Sequence, residues 1–142
     1  MTADTTESKT ITATLVPDHL RTNVTADLFG AYFPLQLEPA IYSFASQLSE
    51  DYSGGYWHFY TISNGGFYLA PESTGKFQVG SPNGHECLIS ADALGLVACL
   101  YAYSHLSFGK GDFAETCAEH YHRLREFAFA HAEAAEIFRA ID

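Results

Sequence analysis

Residues 56–71 read YWHFYTISNGGFYLAP, and this stretch decides the fold class. Its two halves, Tyr56–Ile62 and Phe67–Ala70, are rich in aromatic and β-branched residues, which favour strands. Asn64-Gly65 lies between them, and Asn-Gly is a strong hairpin signal because both residues tolerate positive φ. Pro71 ends the second strand. The stretch predicts an antiparallel hairpin whose aromatic rings fill a core between sheet and helices.

Further strand signals lie on both sides of this hairpin. Ile11–Val16 alternates in polarity before Pro17, and Lys76–Val79 and His85–Ile89 flank a turn that contains Asn83-Gly84. These short alternating runs, separated by turn residues, are typical of antiparallel strands. We therefore predict a small antiparallel sheet of three to four strands, central in the sequence.

Helical signals flank the strands. The predicted helices are Thr25–Phe33 with Thr25 as N-cap, Pro39–Leu48, Ala93–Gly109 after the N-cap Ser90, a helix beginning at Asp112, and Ala132–Ile141. Residues 93–109 contain no Asp, Glu, Lys or Arg, which predicts a buried central helix. Asp112 and Glu115 resemble a capping box, and the helix that follows has one apolar stripe, formed by Phe113, Cys117, Tyr121, Leu124 and Ala128. The fold class is α+β: a small sheet packed against about four to five helices in a single domain.

Composition limits the function. The first ten residues are polar and rich in Thr, which predicts a disordered tail over 1–10, and the length of 142 residues predicts one domain over 11–142. The net charge of −10 argues against binding nucleic acid or anionic membrane, since both require basic surfaces. The chain has three cysteines and no C-x-x-C pair, which favours a reducing compartment over a secreted scaffold. Its first residues lack the basic and then apolar run of a signal peptide, so we predict a cytoplasmic protein.

The histidines do not predict a metal site. His120-Tyr121-His122, with Glu115 and Glu119 one turn earlier, is the densest cluster. Residues two apart on a helix point about 200° apart, so His120 and His122 cannot share a metal, and we expect a solvated polar face. His105 lies within the apolar helix and is predicted to be a hydrogen-bonded core histidine. No cofactor is predicted.

No motif predicts catalysis. His85-Glu86-Cys87 lacks the later P-C-x-x-C of zinc deaminases, and Cys87 is predicted to pack as a small apolar residue. The sequence has no G-x-S-x-G elbow and no phosphate-binding loop. We therefore predict that the chain is not an enzyme. Because triads are defined in space, a small cytosolic hydrolase with a dispersed active site stays open as an alternative.

Several segments together resemble one family. They are Tyr52–Tyr60, Ser63–Pro71, Leu88–Gly95, Tyr101–Phe108 and Tyr121–Phe127. In combination they resemble the antirestriction proteins of the KlcA/ArdB family, which are carried by conjugative plasmids and other mobile elements. The resemblance implies a factor that lets incoming plasmid DNA escape type I restriction in a bacterial cytoplasm, with no known catalytic residue and no cofactor. After Arg21 the chain has Asn23-Val24-Thr25 where the family commonly has Phe-Leu-Pro, so contacts made through that segment do not carry over.

The charge can be compared with that of a DNA mimic. A globule of this length is about 37 Å across, and duplex DNA of that length carries roughly 22 charges. A net charge of −10 spread over the whole surface falls short. The sequence therefore favours contact with a protein, directly or indirectly part of the type I restriction machinery, over plain mimicry. Asp142 is the one candidate contact residue, because a carboxylate at the C-terminal end of a helix opposes the helix dipole.

Overall fold

The computed structural model describes residues 10–142, and strands and helices follow the predicted order. The strands are β1 (Ala13–Leu15), β2 (Trp57–Ile62), β3 (Phe67–Pro71), β4 (Lys76–Gly80) and β5 (Glu86–Ser90). The helices are α1 (Arg21–Phe29), α2 (Glu38–Leu48), α3 (Ala91–Ser107), α4 (Asp112–Ala128) and α5 (Ala134–Ile141). A 3₁₀ turn (Asp18–Leu20) precedes α1, and a π-helical turn (Phe33–Leu37) precedes α2. The predicted α+β class and single domain are confirmed. The predicted disordered tail, residues 1–10, lies outside the described residues except for its last position.

The strands form two antiparallel sheets rather than one. The first has the order β1-β2-β3, with Phe59 opposite Leu69, and the second pairs β4 with β5, with Val79 opposite Cys87. The hairpin between β2 and β3 is the predicted one. In its turn the Gly65 amide donates to the Ile62 carbonyl at 2.9 Å, and Gly65 has φ 91°. Asn64 keeps a negative φ, so the turn needs positive φ at the glycine only.

Helix α3 is the centre of the core, as its lack of charge predicts. Ser90 caps it, accepting a hydrogen bond from the Ala93 amide at 3.1 Å. Gly95 on α3 faces β3 so closely that a Cβ there would lie 2.3 Å from the Leu69 carbonyl oxygen. This contact brings the helix backbone directly onto the strand. Among the described residues, no helix is long and apolar enough to cross a membrane.

Two predicted N-caps are wrong, and one helix begins later than predicted. Helix α1 begins at Arg21, and Thr25 lies inside it, where its hydroxyl donates to the Arg21 carbonyl at 2.9 Å. The N-cap of α4 is Gly111 with φ 89°, and Asp112 is the first helical residue and makes no capping hydrogen bond. Helix α5 begins two residues after the predicted Ala132. Side-chain capping is therefore a weak guide to where these helices start.

Two histidine predictions are reversed. His105 is exposed, whereas His120 is buried with 2% of its surface accessible. The His120 ring packs against Phe29 at 4.7 Å and Tyr103 at 5.5 Å between ring centroids. Burial, with a smaller contribution from the Arg123 charge, lowers the pKa of His120 to about 4. His120 is therefore a neutral core residue rather than part of a solvated face. Of the predicted stripe of α4, Cys117, Leu124 and Ala128 are buried, whereas Phe113 and Tyr121 are half-buried.

Candidate interaction surface

A hydrolase would need a Ser–His–Asp triad or a similar group, and polar side chains of these types lie together at the start of α3. The Asp92 carboxylate accepts from the Tyr68 hydroxyl at 2.8 Å, and its other oxygen lies 2.8 Å from His131 Nε2. The Glu133 amide donates to His131 Nδ1 at 2.9 Å, so the ring proton lies on Nε2 and is donated to Asp92. Both nitrogens of this histidine are therefore occupied. The nearby Ser90 hydroxyl bonds Glu133 rather than His131, so this group does not form a Ser–His–Asp triad.

The same hydrogen bonds set the ionisation of Asp92. Burial acts to raise the pKa of this carboxyl, but the hydrogen bonds from His131 and Tyr68 outweigh it and hold the pKa below its usual range. A general acid or base near neutral pH requires the opposite displacement of a carboxyl pKa. The Asp92 group therefore stabilises the junction of α3, β3 and the turn before α5.

One cavity, separate from the smaller one that Asp92 lines, lies away from that group. Its volume is 690 Å³, and it opens between the π-helical turn and the loop joining α3 to α4. Tyr32 and Phe113 stack at its wall with centroids 4.5 Å apart. Neither Asp92 nor His120, whose pKa values are displaced, lines it. Enzyme sites bring such groups together in a pocket, and this cavity does not.

Every arginine of the chain is paired with a carboxylate. The four ion pairs are Arg21–Asp18 at 3.3 Å, Arg123–Glu119 at 3.9 Å, Arg125–Asp142 at 3.2 Å and Arg139–Glu136 at 3.6 Å. A surface that binds nucleic acid needs guanidinium groups available to phosphates. Here those groups are already engaged within the chain, and residues 10–142 hold only two lysines, Lys76 and Lys110, so carboxylates dominate the surface.

The predicted contact residue Asp142 is one of these paired groups. Helix α5 runs to Ile141 as expected, and Asp142 follows it with 56% of its side chain exposed. Its carboxylate accepts from Arg125 Nη1 at 3.2 Å, and this hydrogen bond raises the pKa of Arg125. Arg125 therefore offsets the unfavourable interaction of the Asp142 charge with the helix dipole, a contact that the sequence did not predict. A role in partner contact stays a prediction.

A groove with an acidic lining was not predicted from the sequence. It has a volume of 380 Å³ and lies between the end of α2 and the β4–β5 sheet. Glu50, Asp51 and Glu86 line it, beside Gln47, Leu48 and Gln78–Gly80, and no basic residue does. Asp51 accepts from the Gln78 amide at 2.8 Å, which fixes the loop after α2 to β4. The adjacent Glu50-Asp51 was the one sequence signal for this surface, and its connection to Glu86 depends on the fold.

Other carboxylates are isolated. The side chains of Asp27 on α1, and of Asp112 and Glu115 in the first turn of α4, make no hydrogen bond or ion pair within residues 10–142 and lie outside the groove. They therefore provide a comparison set of equal charge on a different part of the surface.

Known proteins share both sequence and fold with this chain. The family model described as antirestriction protein matches residues 50–142. An Escherichia coli protein named antirestriction protein KlcA is 40% identical over 140 residues, covering 96% of this chain and 99% of the relative. A second relative, the uncharacterized protein YafX of Escherichia coli strain K12, is 42% identical over 136 residues, covering 93% of this chain and 88% of the relative.

The fold has a solved counterpart. A structure of KlcA and ArdB proteins superposes with a TM-score of 0.87 and 39% sequence identity, covering 94% of this chain and 96% of that one. Those proteins show a novel fold and antirestriction activity against type I DNA restriction systems in vivo but not in vitro. On the family match and the identity to KlcA over nearly the whole chain, this protein belongs to the antirestriction protein family.

Proposed function

We propose that this chain lets incoming plasmid or other mobile DNA evade type I restriction in a bacterial cytoplasm. Residues 11–142 act as one antirestriction domain, which contacts a protein directly or indirectly part of the restriction machinery and performs no catalysis. The KlcA/ArdB structure supports the target, because those proteins act against type I systems and share 39% identity and the fold with this chain.

The proposed mechanism rests on one observation, which is that the related proteins are active in cells but not in purified reactions. The KlcA/ArdB activity is present in vivo but not in vitro. A DNA mimic works by filling the DNA-binding channel of the restriction enzyme, so it needs no other component. A protein that acts through a further cellular component loses its activity when that component is absent. The relatives' behaviour therefore favours contact with a protein over mimicry.

The charges of this chain agree with that reasoning. Four carboxylates are paired with arginines, and the net charge of −10 falls well short of the roughly 22 phosphate charges of a comparable length of duplex. A modest acidic surface can instead orient the protein against a basic patch of a partner, where complementary charge sets specificity and association rate. The groove at Glu50, Asp51 and Glu86 is the first surface to test, and the exposed carboxylate of Asp142 is the second.

The function is tested in cells that carry an active type I system. Expression of the chain should raise the plating efficiency of unmodified phage, whereas modified phage should plate equally with and without it. Equal plating of unmodified phage with and without the protein would overturn the proposal.

A binding assay tests the mechanism separately. The purified chain should not shift duplex DNA at physiological salt, because its arginines are engaged and its surface is acidic. A micromolar gel shift at that salt would contradict a mechanism based on protein contact. Covalent cross-linking in the same cells, followed by purification, identifies the partner.

A further inference from the structure

We propose that His85, Cys87 and Glu136 form a zinc site that joins the β4–β5 hairpin to α5. Cys87 lies on β5, His85 on the turn just before it, and Glu136 in the first turn of α5. One ligand atom from each residue lies within 4.8 Å of the other two. Across residues 10–142, this is the one group of three such side chains close enough together to hold a metal ion.

The geometry needs little rearrangement to bind zinc. His85 Nε2 and Glu136 Oε1 are 2.8 Å apart, in hydrogen-bond contact. Around a tetrahedral zinc ion, neighbouring ligand atoms are about 3.3 to 3.6 Å apart, given bond lengths of about 2.0 Å to nitrogen and oxygen and 2.3 Å to sulfur. The imidazole and carboxylate therefore separate slightly while the thiol moves closer.

The ligand atoms, one sulfur, one nitrogen and one oxygen, favour Zn²⁺ over metals that bind oxygen alone. A thiolate, an imidazole and a carboxylate suit Zn²⁺, whereas Mg²⁺ and Ca²⁺ prefer oxygen ligands alone. Burial, together with the carboxylates of Glu136 and Glu133, raises the pKa of the Cys87 thiol. When zinc binds, the S–H bond breaks, the S–Zn bond forms, and the proton passes to solvent. The thiolate and the Glu136 carboxylate then balance the charge of the divalent ion.

The surroundings hold the ligands and leave a route for the ion. The His85 amide donates to Asn83 Oδ1 at 3.0 Å, and Asn83 Nδ2 donates to the Arg139 carbonyl on α5 at 2.8 Å. The turn that bears His85 is thus already fixed to the helix that bears Glu136, as supporting contacts commonly fix metal ligands. Cys87 is buried, while the side chains of His85 and Glu136 are 23% and 38% exposed. Three protein ligands and an open side leave the fourth position for water.

The test is a Co²⁺ titration of untagged, reduced protein that has been dialysed against a chelator. One equivalent of Co²⁺ should give a thiolate-to-cobalt charge-transfer band and intense visible absorption typical of tetrahedral coordination, and Zn²⁺ should abolish both. Cys87→Ser should remove the charge-transfer band, and Glu136→Gln should weaken Zn²⁺ binding by more than about tenfold. His122→Gln is the matched control, because His122 is exposed and does not belong to the group, and this variant should bind Zn²⁺ as the unaltered chain does.

The outcomes are distinguishable from a failure to fold. Circular dichroism melts in chelator establish that each variant is folded, and Glu136→Gln decides the question if Cys87→Ser does not fold. Absence of the charge-transfer band in the unaltered protein, or the same band in Cys87→Ser, would overturn the site. The site would also be overturned if His122→Gln weakened Zn²⁺ binding as much as Glu136→Gln does.

Discussion

Gly95 is predicted to be the position where a single methyl group disturbs the fold most. A Cβ at this position would lie 2.3 Å from the Leu69 carbonyl oxygen, 2.5 Å from Ala70 Cα and 2.7 Å from Ala70 Cβ. Two of these three atoms belong to the backbone of β3, so no side-chain rotation relieves the overlap. Gly95→Ala therefore forces α3 and β3 apart by roughly an ångström.

The cost can be estimated from two opposing effects. Overpacking in a dense core costs about 3 kcal/mol when backbone must move. Alanine is more favourable than glycine in a helix interior by about 1 kcal/mol. The net loss is about 2 kcal/mol, which corresponds to a fall in melting temperature of about 7 °C for a domain of this size. The separation also lengthens the contact of the Leu69 amide with Cys99 Sγ, now 3.4 Å.

The assay is thermal unfolding followed by circular dichroism, with Gly109→Ala as the matched control. A Cβ at Gly109 would lie 3.4 Å from the Leu106 carbonyl oxygen, which is ordinary contact, so this substitution should leave the melting temperature nearly unchanged. Equal melting of the two variants would refute the close approach of α3 to β3.

Three further predictions concern the turn, the C-terminus and acid stability. Gly65→Val should lower the free energy of unfolding by about 1–2 kcal/mol, because φ there is 91°, and an unchanged melting temperature would place the turn elsewhere. Asp142→Asn should leave the fold intact and lower the free energy of unfolding by at most about 1 kcal/mol, because it removes the exposed ion pair with Arg125. This difference in stability should disappear at high salt, which screens the pair. If Asp142 contacts the partner, the same variant should weaken antirestriction in cells; unchanged activity excludes that role. The pKa of His120 is about 4 in the folded protein and about 6.5 in the unfolded chain, so the unfolded chain binds the proton more readily. The contribution of His120 to the free energy of unfolding, about 3 kcal/mol, is therefore complete above pH 6.5 and is lost as the pH falls towards 4. Chemical denaturation at several pH values should show this loss in the unaltered chain and a smaller one in His120→Phe.

The sequence predicted those parts of the fold that depend on a few neighbouring residues, such as the hairpin turn and the central helix. Asn64-Gly65 identified the hairpin because the turn requires positive φ at the glycine. The uncharged run 93–109 identified the central helix because nearly every residue from Ala93 to Tyr103 is buried. The start of α1 was missed because Leu20, its N-cap, supplies no capping side chain, whereas Thr25 resembles a cap and bonds back within the helix.

The features of the candidate surfaces depend on contacts between distant segments. Arg125 neutralises Asp142 from another helix, and Glu86 joins Glu50 and Asp51 only when the β4–β5 hairpin packs beside the end of α2. His105 and His120 lie on neighbouring helices, and nothing in their local sequence shows which one enters the cluster of Phe29 and Tyr103. Pairing and burial of this kind are properties of the packing of elements, which periodicity does not specify.

The central claim, action through contact with a protein rather than through total negative charge, is tested by two triple variants. Glu50→Gln, Asp51→Asn and Glu86→Gln together neutralise the groove, and Asp27→Asn, Asp112→Asn and Glu115→Gln together remove the same charge elsewhere. Both proteins are first shown by thermal melts to be folded at the growth temperature. Plating of unmodified phage on cells with an active type I system then compares them. The proposed contact predicts that the groove variant loses protection while the second variant keeps it. Equal loss in both variants, as mimicry through total charge requires, would contradict the claim.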